Sequence, residues 1–421
     1  MNTEKPLNRW LITSMATLLM ICLGTVYAWS YFQGPLMKAY GWNNAQVSLT
    51  FSFAIFSLGV SAAIGGVWLP KLGPRKLASA GSVLFGLGYA LAGLALSMRS
   101  LPLLYIGYGV VGGIGLGLGY VTPVATVAKW FPDKKGLATG IVIMGFGFGA
   151  LAMSKLLAPA LLAWTGGNLV QVFFIFAVLF LVLCLLASAF LNNPPQATAS
   201  AAKSPSQAFA EARRDLGSRN FILLWLMFFC NISAGIAVVG FQSPLFQDLW
   251  RRADPGLSAS ALTAMGATLI AITSIFNGVG RFFWGAVSDR AGRINTYRIL
   301  LGGELLVFLL LVVTKNPWLF AIELCWVLLC YGGGFGTMPA TVGELFGQQK
   351  MTALYGAVLT AWAAGGVVGP QIVAFLKDNY PEKASTLSFV IGAAFVALGF
   401  VFSLFLPGMS APKAASKEGK D

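Results

Sequence analysis

No histidine occurs anywhere in the 421-residue chain. That absence removes Ser-His-Asp triads, most zinc sites and imidazole proton relays together. Charge is nearly as scarce, at 10% of residues, where an ordinary soluble domain carries roughly 25%. So few charges cannot cover a water-facing surface. The five cysteines, Cys22, Cys184, Cys230, Cys325 and Cys330, all fall inside apolar runs. An odd number so placed reads as small buried hydrophobes, not as a disulfide framework or a metal cage. No metal and no other cofactor is expected. Acidic residues number 14 against 28 basic ones, a net charge of +14. Nucleic acid is not the implied partner, because the basic residues sit in short loops between apolar runs. With no histidine and no paired carboxylates inside those runs, an intramembrane enzyme is not expected either.

What is present points to a bilayer. Hydrophobic residues make up 57% of the chain, mean hydropathy is +0.77, and 50 residues are glycine. Apolar runs long enough to span a membrane, about 17–25 residues, fall near 10–36, 47–69, 77–98, 102–129, 136–162 and 169–191. A second set falls near 220–246, 258–287, 299–314, 318–343, 352–376 and 386–407. The first run is longer than a signal-peptide core and is expected to be retained. The pairs Gly113/Gly117, Gly115/Gly119 and Gly145/Gly149 are helix-packing faces. The stretch 112–119 is no nucleotide loop, since it lies within an apolar run and lacks a following Lys-Ser/Thr.

One long polar break, 192–219, divides the chain into a bundle over 1–191 and a bundle with a short tail over 220–421. The two parts echo each other. Gly66, Pro70, Lys71 and Gly73 stand between spans two and three as Gly285, Asp289, Arg290 and Gly292 stand between spans eight and nine. Phe131 to Lys135 likewise precede Gly140 as Phe346 to Lys350 precede Gly356. The sequence therefore predicts an all-α membrane protein of twelve transmembrane helices in two six-helix pseudo-symmetric bundles, the repeat plan of an alternating-access carrier. Lys38, Arg99, Arg251, Arg252, Lys315, Lys377 and Lys383 fall on one side. Lys155 and Arg281 lie within spans, and the remaining basic residues fall on the side of the termini. That bias places both termini in the cytoplasm.

At these residues the chain resembles the major facilitator superfamily, whose loop signature Gly-x-x-x-Asp-Arg/Lys-x-Gly-Arg is kept at Gly285, Asp289, Arg290, Gly292 and Arg293. The first-half copy departs from it, with Pro70 at the aspartate position. Over nearly the whole length the chain is similar to bacterial monocarboxylate transporters and oxalate/formate antiporters, through the Lys129–Gly140 segment and the Gly280-Arg281…Asp289 arginine motif. The resemblance implies a multi-pass protein of a cell (inner or plasma) membrane, with Gly285, Asp289, Arg290 and Arg293 forming a gating loop. It implies that Tyr27, Tyr120, Phe146 and Trp362 line the substrate site. It also carries departures. The oxalate carriers have a lysine where Trp362 stands, so a singly charged substrate is favoured. Animal monocarboxylate carriers have an aspartate where Asn277 stands and a lysine in helix one, where this chain has none before Lys38.

An arginine at bilayer depth costs at least about 2.5–3.5 kcal/mol on insertion scales, so Arg281 needs a partner. No acid lies near it on its own helix, and its neighbour at i−4 is Asn277. It is either a bidentate dock for a carboxylate or a staple to an acid on another span, for which Glu304 and Glu323 are available. Both acids are expected near span ends as caps or interfacial groups. Lys155 is expected to snorkel to the interface. Tyr331 and Phe335, one turn apart among Gly332, Gly333, Gly334 and Gly336, are expected to face the site, with the glycines giving flexibility and room. The resulting expectation is a monomeric, proton-coupled symporter of a small monocarboxylate anion such as lactate. The alternative is an oxalate/formate-type anion exchanger.

Overall fold

The computed structural model describes residues 8–131, 135–194, 205–347 and 350–407. The N-terminal residues 1–7, residues 132–134 of the first-half loop, residues 195–204 of the expected linker, Gln348, Gln349 and the tail from 408 lie outside the described residues. Among the described residues, twelve helices are long and apolar enough to cross a membrane: α1 Arg9–Tyr40, α2 Asn44–Leu72, α3 Pro74–Ser97, α4 Leu101–Trp130, α5 Ala138–Trp164, α6 Leu169–Ala189, α7 Arg219–Ala253, α8 Ala259–Ala291, α9 Arg293–Val313, α10 Pro317–Phe346, α11 Ala353–Asn379 and α12 Ala384–Leu404. A short helix, Pro205–Leu216, lies between α6 and α7. We call the end of the bundle where α1 starts proximal and the opposite end distal.

Local chemistry starts and stops these helices. Side-chain oxygens of Asn43, Ser218, Ser258 and Asn316 accept from backbone N–H groups of the first turns of α2, α7, α8 and α10. The turns α2–α3 and α8–α9 are each made by one glycine at positive φ, Gly73 (φ 78°) and Gly292 (φ 84°), where a side chain would be strained. These two glycines hold matching places in the two halves, so the repeat seen in the sequence is also a repeat of backbone geometry. The outward faces are apolar, with Ile64, Val178, Leu306 and Val313 more than half exposed. That pattern is expected where the surrounding solvent is lipid.

The halves meet along two long seams of small residues. On α2 and α11, a Cβ added to Gly59 would stand 2.7 Å from the Ala363 Cβ, and Gly366 packs on Ile55. On α5 and α8, Gly147 packs on Gly278, Ser274 Oγ donates to the Gly147 carbonyl, and Lys155 Nζ donates to Thr268 Oγ1 at 2.6 Å. Lys155 is otherwise exposed, as snorkelling requires. At the distal end the Asp378 carboxylate, near the end of α11, accepts from the Asn44 amide (3.2 Å), the Asn44 side chain (2.8 Å) and the Ala45 amide (2.8 Å) at the start of α2. A carboxylate there meets unpaired N–H groups and the positive end of the helix dipole. The pairs Gly113/Gly117, Gly115/Gly119 and Gly145/Gly149 pack on α2, α3 and α1.

Two expectations change. Helix α9 begins at Arg293, about a turn and a half before the expected start at 299, because the polar residues Asn295, Thr296 and Arg298 are helical. Glu304 is therefore at mid-helix and fully buried, not a cap or an interfacial group. The glycines of α10 supply neither slack nor room. Gly332 packs on the Asn277 backbone, Gly333 on Trp284, Gly334 on Asn231 and Gly336 on the Arg281 backbone, each too closely for a methyl group.

Candidate transport site

Arg281 projects from α8 into the centre of the molecule and is 2% exposed. Its guanidinium carbon lies 4.9 Å from the centroid of Phe335 on α10 and 5.6 Å from that of Phe146 on α5. Its hydrogen bond to the Tyr120 hydroxyl on α4, from Nη1, is long at 3.4 Å. Nε and Nη2 are buried with no protein acceptor, and among the described residues no carboxylate lies within ion-pair distance. Cation–π contact stabilises a desolvated guanidinium by about 2 kcal/mol or more, which offsets part of the burial cost while leaving two donor atoms unused.

The rings form a closed cage. Tyr27, in a 3-10 turn that interrupts α1 at Thr25–Ala28, stacks edge-on against Phe146 (5.1 Å) and donates to, or accepts from, the Tyr331 hydroxyl at 2.8 Å. Trp362 on α11 lies 5.3 Å from Tyr120, 5.9 Å from Phe146 and 4.7 Å from Phe335. Tyr331 and Phe335 are in contact at 5.3 Å. Tyr27, Tyr120 and Phe146 come from the first half, and Arg281, Tyr331, Phe335 and Trp362 from the second. All are at most 2% exposed, so the cage is sealed towards both ends of the bundle.

Of the eight residues singled out for the site, six are the rings of the cage around the guanidinium of a seventh, Arg281. Asn277 stands one turn away on α8, packed on Gly332, with its Oδ1 buried and unpartnered. Tyr355 escaped the sequence reading. It is buried, and its hydroxyl interacts with Tyr120 and Arg281. The signal was its i, i+7 spacing from Trp362, which puts both on one face of α11. The Trp362 Nε1 is a buried, unpaired donor. Several donors without acceptors thus converge beside one cation, an arrangement suited to an anion with an apolar tail.

The loop residues lie apart, at the proximal turn of α8 and α9. Arg293 binds Asp289 at 2.6 Å and Glu344 of α10 at 3.3 Å, so it ties three helices of one half. Arg290 is exposed, and a Cβ at Gly285 would meet open space. Among the described residues no group of three potential metal ligands occurs.

A family model described as Major Facilitator Superfamily matches residues 10–370. The oxalate:formate antiporter of Oxalobacter formigenes is 28% identical over 409 residues, covering 96% of this chain and 93% of that protein. The apicoplast pyruvate carrier 1 of Toxoplasma gondii is 28% identical, covering 86% and 74%. The crystal structure of a D-xylose-proton symporter superposes with a TM-score of 0.66 at 17% identity, covering 95% of this chain and 98% of that one.

Proposed function

Because this chain belongs to the major facilitator superfamily, whose members and fold are those of transporters, we propose that it carries a small monocarboxylate such as lactate or pyruvate, together with a proton, by alternating access. The observation that carries the reading is Arg281: a buried guanidinium, ringed by aromatics from both halves, with two donors unused and no resident carboxylate. A carboxylate entering the cage accepts from Nε and Nη2 in the bidentate geometry that guanidinium favours. Tyr120 and Tyr355 offer further hydroxyl donors, while Phe146, Phe335 and Trp362 enclose a short tail. Trp362 fills the wall where a second cation is needed to hold a dicarboxylate, so one charge is matched and two are not. The names of the relatives, an oxalate:formate antiporter and a pyruvate carrier, support a small carboxylate as cargo. The bias of Lys and Arg supports cytoplasmic termini in a cell (inner or plasma) membrane, and a site built inside one chain supports function as a monomer.

The substrate's charge does mechanical work in this scheme. With the anion bound, the guanidinium is neutralised and closing apolar walls around it becomes less costly. The same physics favours a second reading, obligatory exchange of organic anions, since a bare Arg281 hinders return of the empty carrier.

Uptake of labelled lactate into proteoliposomes tests both. Arg281→Gln should lower kcat/KM by about 10- to 100-fold, the loss expected for a charge-assisted hydrogen bond of roughly 1.5–3 kcal/mol. Arg281→Lys should fare little better, because it keeps the charge but not the fork. Near-normal transport by the Gln variant removes Arg281 from the site. Uptake driven by an imposed pH gradient with no internal anion marks symport, and a strict need for internal anion marks exchange.

A further inference from the structure

Outside the cage, the second half buries an acid–amide pair. Glu304 at the middle of α9 is 0% exposed, as is Asn231 on α7, and Asn231 Nδ2 donates to Glu304 Oε2 at 2.9 Å. Glu304 Oε1 and Asn231 Oδ1 are both buried acceptors without a donor. No cation stands within ion-pair distance among the described residues. On the elements packed around the pair, the ionisable groups within two turns of it are Cys330 beside Glu304 on α10, Cys230 on α7, and Tyr297 and Arg298 on α9, the Arg298 guanidinium being turned to the Ser403 and Leu406 carbonyls; Arg281 lies across on α8, Tyr331 turns into the cage and Glu323 sits at the distal end of α10 bonded to Thr314. Helix α12 carries no ionisable group over its span. A carboxyl held by a single neutral amide satisfies its surroundings best when protonated, since one proton supplies the donor that two acceptors lack.

The pair is also joined to the cage. Asn231 packs on Gly334, the Tyr297 hydroxyl donates to the Gly334 carbonyl at 2.5 Å, and the next residue, Phe335, lies against the guanidinium. Proton site and anion site thus share one turn of α10.

Resting on the symport reading above, we propose that Glu304 is the proton-carrying residue and that Arg281 and Glu304 together enforce coupling by charge balance. The empty, deprotonated carrier holds one positive and one negative buried group, so their sum is zero. The fully loaded carrier holds Arg281 neutralised by the anion and Glu304 neutralised by the proton, again zero. The two half-loaded forms each enclose one uncompensated charge, which the apolar interior penalises. Only the empty and fully loaded forms reorient readily, giving one proton with each monocarboxylate and no net charge moved.

Reconstituted Glu304→Gln supplies the test. Without the titrating acid the empty carrier is stranded with Arg281 charged, while the anion-loaded form is neutral. Exchange of labelled for unlabelled lactate should persist near the wild-type rate, and net uptake driven by a pH gradient should fall by more than about tenfold. In detergent, a pH-indicating dye should register proton uptake when lactate binds the wild type and none with Glu304→Gln; this measurement decides the matter even if the variant turns over poorly. Wild-type net uptake or wild-type proton binding by Glu304→Gln overturns the assignment. If instead the wild type itself neither takes up a proton nor responds to a pH gradient, the symport reading fails and the exchange reading stands.

Discussion

Tyr120 accepts no more than a long contact from Arg281, at 3.4 Å, so removing its hydroxyl should cost less than removing the guanidinium. Tyr120→Phe is expected to raise KM for lactate about 2- to 10-fold, the range of a neutral hydrogen bond, with kcat little changed; an unchanged KM dismisses the hydroxyl as a ligand. Trp362→Lys adds a second cation to the cage and should raise the ratio of oxalate to lactate transport by at least about tenfold, from one added charge-assisted bond. A falling ratio contradicts the fit of one charge to one carboxylate. At this scale the sequence was unusually readable where a residue was chemically out of place. A charge amid apolar residues exposes Arg281 at once, and its aromatic neighbours follow from family positions. Tyr355 was missed, and Glu304 was misplaced at a span end, for a different reason. Each sits near a boundary drawn from hydropathy alone, and polar residues that begin a helix look the same in sequence as polar residues of a loop.

Between helices, the deciding quantity is how near two backbones come. On α10, Gly336 lies against the Arg281 backbone with no space for a methyl group, and overpacking of this kind costs about 1–3 kcal/mol. Gly336→Ala should therefore lower the melting temperature in detergent and reduce transport by moving α8 off α10. Gly285→Ala is the contrasting case: its Cβ meets open space on a helix, where alanine is favoured over glycine by about 1 kcal/mol, so stability should hold or rise. Equal behaviour of the two variants refutes the packing account. The number and order of spans, and the matching turns at Gly73 and Gly292, were legible because membrane length and glycine spacing are local properties. Which way the glycines of α10 act was not, since a run of small residues in sequence is compatible with looseness and with tight contact alike.

Over the whole molecule, opening requires that the seams between halves part at one end while they hold at the other. The Asp378 carboxylate closes the distal end by binding the start of α2. Asp378→Ala removes that clasp at a cost of about 0.5–2 kcal/mol, a capping interaction's worth. With Gln371→Cys as a reporter in a cysteine-free background, labelling by a water-soluble maleimide should speed up by roughly 2- to 30-fold, as that energy shifts the population toward a distally open form. An unaltered rate removes the clasp from the gate. Finally, among the described residues the buried charged side chains, Arg281, Glu304 and Glu323, all belong to the second half, and the first half meets the cage with rings and hydroxyls alone. The two halves consequently hold separable responsibilities. Preference for a cargo's ionic state should travel with residues 220–407 into a hybrid carrier, whereas tolerance for a longer or bulkier carbon skeleton should answer to both parents.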